Sequence, residues 1–205
     1  MFHDTYIKLD RLETEDILTL TVRHFDGISF NPQNSIIMAR DLSFYPGYRL
    51  YDMADHTHIP AARRFVLMKD GDLVILDFTN APIYALNSRL PLVLNEDTVR
   101  DYVRFFFNFV RGRHGRFLIT ESVDDIAWRD EPPPAARKSV GKLIMPLTLL
   151  KSDRGDGSYI FQAQMMFRDS LFQADILVAK DGAVQLSNEQ LLIEDMPVLD
   201  DIFGQ

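Results

Sequence analysis

The run from Asn95 to Val110 constrains this chain more than any other, because it can be buried in only one way. Asn95 can cap a helix by accepting a bond from an orphan backbone N–H, and Glu96 and Asp97 complement the positive end of the helix dipole. Val99, Tyr102, Val103, Phe106 and Val110 then recur at the spacing of one helical face. Phe105, Phe107 and Phe109 widen that face until little of the second half can meet water. Such a helix needs a broad cover, and a curved sheet supplies one.

Strand signals surround the helix. Phe65 to Phe78 reads as a hairpin turned by Lys69, Asp70 and Gly71, the glycine tolerating positive φ. Phe117 and Ile119 mark a strand, and Leu143–Leu150, Tyr159–Phe167, Leu171–Ala179 and Ala183–Leu186 follow as further strands. The polar links Asp153–Ser158, Arg168–Asp169 and Lys180–Gly182 are short, so neighbours pair antiparallel in a meander. Pro132, Pro133 and Pro134 read as a stiff surface connector. Near the N-terminus, Ile17 to Phe25 alternates like a strand, with Leu18, Leu20 and Val22 on one side, although Thr14 ahead of it could equally cap a helix. Ser43 to Tyr51 reads as an aromatic loop or irregular strand.

The expected fold class is therefore α+β: one long amphipathic helix on a curved antiparallel β-meander. Over residues 60–190 this element order resembles the cystatin-like and nuclear-transport-factor-2-like architectures, without a family motif. The resemblance implies a scaffold and no particular activity. The whole of residues 1–205 is expected to form one domain, with an N-terminal extension or additional strands over 1–60, the helix–sheet core over 61–190 and an acidic-apolar tail over 191–205.

A chain of 205 residues, 46% hydrophobic and 25% charged, can bury a core without staples. The absence of cysteine removes disulfides, thiolate zinc sites, Fe–S clusters and thiol nucleophiles. No apolar run reaches the length of a signal segment or a membrane span, so the expectation is a cytoplasmic protein with no membrane association. The net charge of −8 disfavours nucleic-acid backbones.

Three constellations carry candidate chemistry. Asp55, His56 and His58 would place two imidazoles on one side of an extended chain, as metal ligands require, with a carboxylate beside them. Solvated loop histidines are the competing reading. Arg111, Arg113 and Arg116, interleaved with Gly112, His114 and Gly115, could fork onto an anion, although cations and glycine also terminate helices. A hollow between helix and sheet, lined by Tyr102, Phe106, Phe161 and Phe167, could hold an apolar ligand or simply be filled. The carboxylate pairs Asp124–Asp125, Glu194–Asp195 and Asp200–Asp201 read as solvated turns.

No catalytic residue and no cofactor is assigned, since neither a nucleophile elbow nor a phosphate or dinucleotide loop occurs. The leading expectation is a non-catalytic interaction or regulatory module that joins a protein partner or a second copy of itself. The alternatives are a small-molecule ligand or substrate in the hollow, with Asp55, His56 or His58 at its mouth, and an anion or nucleic acid on Arg111, Arg113 and Arg116.

Overall fold

The computed structural model describes residues 6–112, 114–152 and 155–199. Among them are four α-helices and two antiparallel sheets, an α+β protein as the alternation of turn and strand signals predicts. No described helix is long and apolar enough to cross a membrane. Between Asp77 and Phe78 the chain divides into two compact units.

The first unit is a five-stranded meander: β1 (Ile7–Lys8), β2 (Ser35–Asp41), β3 (Arg49–Asp55), β4 (Ala62–Lys69) and β5 (Asp72–Leu76), each strand beside its neighbour in sequence. Strands β3 and β4 pair from Arg49↔Met68 to Asp55↔Ala62, so the residues before and after position 60 share one sheet. The β4–β5 hairpin closes on Asp70 and Gly71 as the sequence predicts, with Lys69 opposite Asp72 and φ of 47° and 84° at the two turn residues. Both signs match the turn whose twist suits a right-handed ribbon. Ile37, Ala39, Tyr51, Met53, Val66 and Met68 line one face of the sheet and pack with Leu18, Phe25 and Phe30.

Leu18 reaches that face from a helix, α1 (Arg11–Thr21), where alternation predicts a strand. The correction has a local cause. Asp10 Oδ1 accepts the Glu13 N–H (2.9 Å) and Glu13 Oε2 accepts the Asp10 N–H (2.9 Å), closing a capping box that starts the helix. Its buried residues are Thr14, Leu18 and Thr21, at helical spacing, and Leu20 and Val22 are left exposed. Asp10→Ala is expected to cost about 1 kcal/mol of the cooperative unfolding free energy, measured by urea denaturation. Asp10→Asn should recover most of it.

The second unit opens with α2 (Ala81–Arg89), which the strand-rich reading did not foresee; Pro82 in its first turn supplies a preset φ. The Phe-rich run forms α3 (Thr98–Phe109), with Val99, Tyr102, Val103, Phe105, Phe106, Phe107 and Phe109 buried. Asn95 Oδ1 accepts the Asp97 and Thr98 N–H groups at 2.9 and 3.0 Å, so this residue starts the helix from three positions upstream. At twelve residues α3 is one residue longer than α1.

Four strands follow in the order β10 (Val184–Ile193), β9 (Ser170–Val178), β8 (Tyr159–Phe167) and β6 (Phe117–Ile119), with β7 (Thr148–Lys151) also paired to β8. The last helix, α4 (Pro134–Gly141), begins on the third proline of the predicted connector. Of the predicted strand Leu143–Leu150 only the end is strand, since Pro146 has no N–H to give a ladder. On one sheet face Phe161, Ala163 and Met165 of β8 lie beside Ile176 and Ala174 of β9, all buried. The guanidinium of Arg100 on α3 stands 5.7 Å from the Phe161 ring on that face. On the opposite face Met166 and Leu171 pack with Ile126, Ile144, Met196 and Val198. Met196 and Val198 of the expected tail thus fill the core of their own unit, and residues 200–205 lie outside the described residues.

Candidate functional site

The loop that leaves α3 is folded back on itself by two glycines. Gly112 N–H donates to Gly115 O (2.9 Å) and Gly115 N–H to Gly112 O (3.3 Å). Gly115 has φ 142° and stands so close to Phe167 that a Cβ there would lie 3.0 Å from the ring, which itself stacks on Phe117 (4.5 Å). Gly115 therefore sits against the end of the β6–β8 ladder, where a side chain would crowd the ring. Arg111 N–H donates to Phe78 O (2.8 Å), and its guanidinium lies 4.0 Å from the Phe78 ring. Arg116 Nη2 donates to Asn108 O and Oδ1 (both 3.1 Å) and so closes the C-terminal end of α3. The capping role that composition suggests for this cluster is real for Arg116.

Those arginines also line a cavity of about 360 Å³. Arg111, His114, Arg116 and Arg168 contribute to its lining, together with the apolar residues Leu118, Ile126, Met166 and Val198. Arg168 comes from the β8–β9 turn, where it takes φ 54° and its Nη2 donates to His114 O (3.1 Å). Asp125 is the one carboxylate among the described lining residues. Arg113, the third arginine of the sequence pattern, lies outside the described residues.

Leu118 and Asp125 also wall a smaller cleft of about 170 Å³, completed by Arg104 and Glu121. Glu121 accepts from Arg104 Nε and Nη2 (2.8 and 3.0 Å) and from Leu147 N–H (3.0 Å). Burial pushes the Glu121 pKa up, but these bonds outweigh it and hold the group below the ordinary carboxylate range. Asp125 behaves alike: burial raises its pKa, and the N–H groups of Glu121 and Ser122 (2.9 Å each) contribute to a net lowering. Both carboxylates stay ionised and act as acceptors. Asp124, next in sequence to Asp125, turns the other way and pairs with Arg137.

The aromatic quartet is divided. Tyr102 and Phe161 are fully buried, and Tyr102 donates its hydroxyl to Gly182 O (2.6 Å) while accepting from Asn87 Nδ2 (3.0 Å). Phe106 is buried between Tyr84 (5.8 Å), Tyr102 (6.4 Å) and Phe107 (5.6 Å). Phe167 stands apart from them, beneath the Gly115 loop.

Asp55, His56 and His58 do not converge. Asp55 is fully buried and accepts from Asn31 N–H (2.7 Å), Thr57 N–H (2.9 Å) and the Thr57 hydroxyl (2.6 Å). His58 is exposed, its Nε2 3.2 Å from Ser29 O. His56 lines a surface hollow with Asp52 and Arg63. Among the described residues no group of three histidines or carboxylates is placed to hold a metal ion.

Arg168 and Asp125 are the site residues that a reading of the sequence misses. Arg168 is 52 positions from Arg116, and the two meet because β6 pairs with β8 at Phe117↔Phe167, one residue inside each arginine. The only local hint is the two-residue reversal at Arg168–Asp169, which fixes where β8 must end. Compared with known proteins, the chain matches no family model, no curated protein and no solved structure.

Proposed function

We propose that the unit beginning at Phe78 binds a small amphipathic anion, a carboxylate or phosphate joined to an apolar body, in the cavity lined by Arg111, Arg116 and Arg168. The observation that carries this reading is one cavity whose lining combines three arginines, against a single carboxylate, with aliphatic side chains. Guanidinium forks match carboxylate and phosphate oxygens two at a time, and the aliphatic side chains favour a ligand with apolar surface to hide. A cavity of about 360 Å³ has the size of a small-ligand pocket. Arg111 and Arg116 are already oriented by Phe78 and Asn108, so little side-chain entropy is left for the ligand to remove. The cavity lies past the C-terminal end of α3, among loop, turn and strand-end residues, and not in the helix–sheet hollow of the cystatin-like or nuclear-transport-factor-2-like plan. A cytoplasmic setting fits a chain without cysteine.

Calorimetric titration with octanoate, octyl phosphate, 1-octanol and octylammonium tests it. The two anions should bind with affinities that fall as salt is raised, and the alcohol and the cation should not bind measurably. Arg168→Ala removes an exposed guanidinium without touching the core and should weaken the anions about tenfold. Equal binding of octanol and octanoate, or an Arg168→Ala variant that binds like the parent, would remove the basis for the reading.

A further inference from the structure

A second concavity in the same unit has the opposite electrostatic character. The chain from Trp128 through the three prolines to α4 forms one side of it, and the end of β10 with the following turn forms the other; an isolated bridge between Trp128 and Val198 ties the two sides together. Its volume is about 300 Å³. Trp128, Pro132, Val140 and Ile193, buried or half-buried, give it an apolar floor. The indole N–H donates to Val123 O (3.4 Å), so the ring is anchored at its polar edge. Ala136 and Val140 lie one helical turn apart and present the same side of α4 to the groove.

Around this floor stand four carboxylates, Asp130, Glu131, Glu194 and Asp195, all exposed. Glu131 shares its charge with Arg137 (3.4 Å), whose other partner is Asp124. Among the described residues, Asp130, Glu194 and Asp195 have no ion-pair partner. An apolar floor inside an anionic rim selects against other acidic surfaces and against the acid ligand of the arginine cavity. It suits an extended segment with one aliphatic side chain for the floor and lysine or arginine on either side for the rim. The prolines stiffen the walls, so the groove exists before its occupant arrives.

We infer that the Trp128 groove docks a basic-apolar peptide segment of a partner protein. The inference stands apart from the anion cavity and does not depend on it, because no residue lines both concavities.

Trp128 is the only tryptophan of the chain, so its fluorescence reports on the groove directly. The full chain is titrated with three capped pentapeptides: leucine flanked by two lysines on each side, serine in place of that leucine, and leucine flanked by glutamates. The leucine–lysine peptide should shift Trp128 emission saturably, the serine peptide should bind about tenfold more weakly, and the glutamate peptide should give no response. Asp130→Lys combined with Glu194→Lys should lower affinity for the leucine–lysine peptide about tenfold with an unchanged unfolding midpoint, since both positions are exposed. Three results would overturn the inference: no response to any peptide, an equal response to the glutamate peptide, or charge-reversed protein that binds as the parent does. Self-association of the chain at micromolar concentration, lost in the charge-reversed variant, would instead make a second copy the occupant.

Discussion

Gly182→Ala is expected to lower the unfolding free energy by about 3–4 kcal/mol, much of the stability a domain usually has. Gly182 adopts φ 80°, where an L side chain costs about 1–2 kcal/mol. A Cβ there would also collide with Asn87 Nδ2, and would lie 2.6 Å from Leu92 Cδ2 and 2.7 Å from the Tyr102 hydroxyl oxygen. Tyr102 and Asn87 cannot simply move aside. Tyr102 is fully buried, burial pushes its pKa well above the ordinary tyrosine value, and it donates to the carbonyl of Gly182 itself. Displacing it breaks that bond inside the core, at about 1–3 kcal/mol for the group left unsatisfied. Gly71→Ala is the control. Gly71 has nearly the same φ, 84°, with no heavy atom within 4 Å of the added Cβ, so it should lose only the conformational part, about 1 kcal/mol. Denaturant midpoints of the two variants therefore separate backbone strain from steric crowding. Equal losses would mean that Tyr102 does not pack against Gly182 as described.

Asp55→Ala should cost about 2 kcal/mol, since it takes the acceptor from two part-buried backbone N–H groups, those of Asn31 and Thr57, and empties a buried side-chain position. Asp55→Asn keeps one acceptor oxygen and should lose less. His56→Ala, at an exposed position without such bonds, should change stability by less than about 0.5 kcal/mol. The pH dependence follows in sign. Burial raises the Asp55 pKa, but the bonds from Asn31 and Thr57 outweigh it, and the folded value lies below the ordinary one of 3.8. As pH falls the unfolded chain therefore takes up the proton first, which draws the equilibrium toward unfolding. The stabilisation is complete above about pH 4–5 and is lost as pH falls through the folded pKa. Glu121 and Asp125 are shifted in the same direction and add to the same acid slope. Asp55→Asn should flatten that slope without abolishing it. A parent and variant that lose stability in parallel between pH 5 and pH 2 would contradict the buried, hydrogen-bonded carboxylate.

Where the fold was legible, a local rule and a tertiary demand agreed. Asp70–Gly71 can adopt the positive φ of a tight hairpin, and the β4–β5 register closes there. The helix from Thr98 to Phe109 was written twice, in the acceptor at Asn95 and in the spacing of its aromatic residues. The strand expected at Ile17–Phe25 failed because Leu18, Leu20 and Val22 alternate by coincidence. The capping box at Asp10 sets a helical phase in which only Leu18 of these three reaches the core. Asp55 does not join His56 and His58, because its side chain turns inward and accepts the backbone N–H groups of Asn31, 24 positions away, and Thr57.

Arg111 and Arg116 declare a concentration of positive charge by sequence alone, and their spacing around Gly112 and Gly115 predicts a turn at the end of a helix. That the charge faces a hollow, shared with Arg168 and backed by Met166 and Val198, follows only from the pairing of β6 with β8 and the return of the chain past Trp128. Helix spacing and turn chemistry act between residues a few positions apart, so they are written in the sequence. The lining of the cavity is assembled from strand ends about fifty residues distant, and its composition exists only once the sheet has fixed its register.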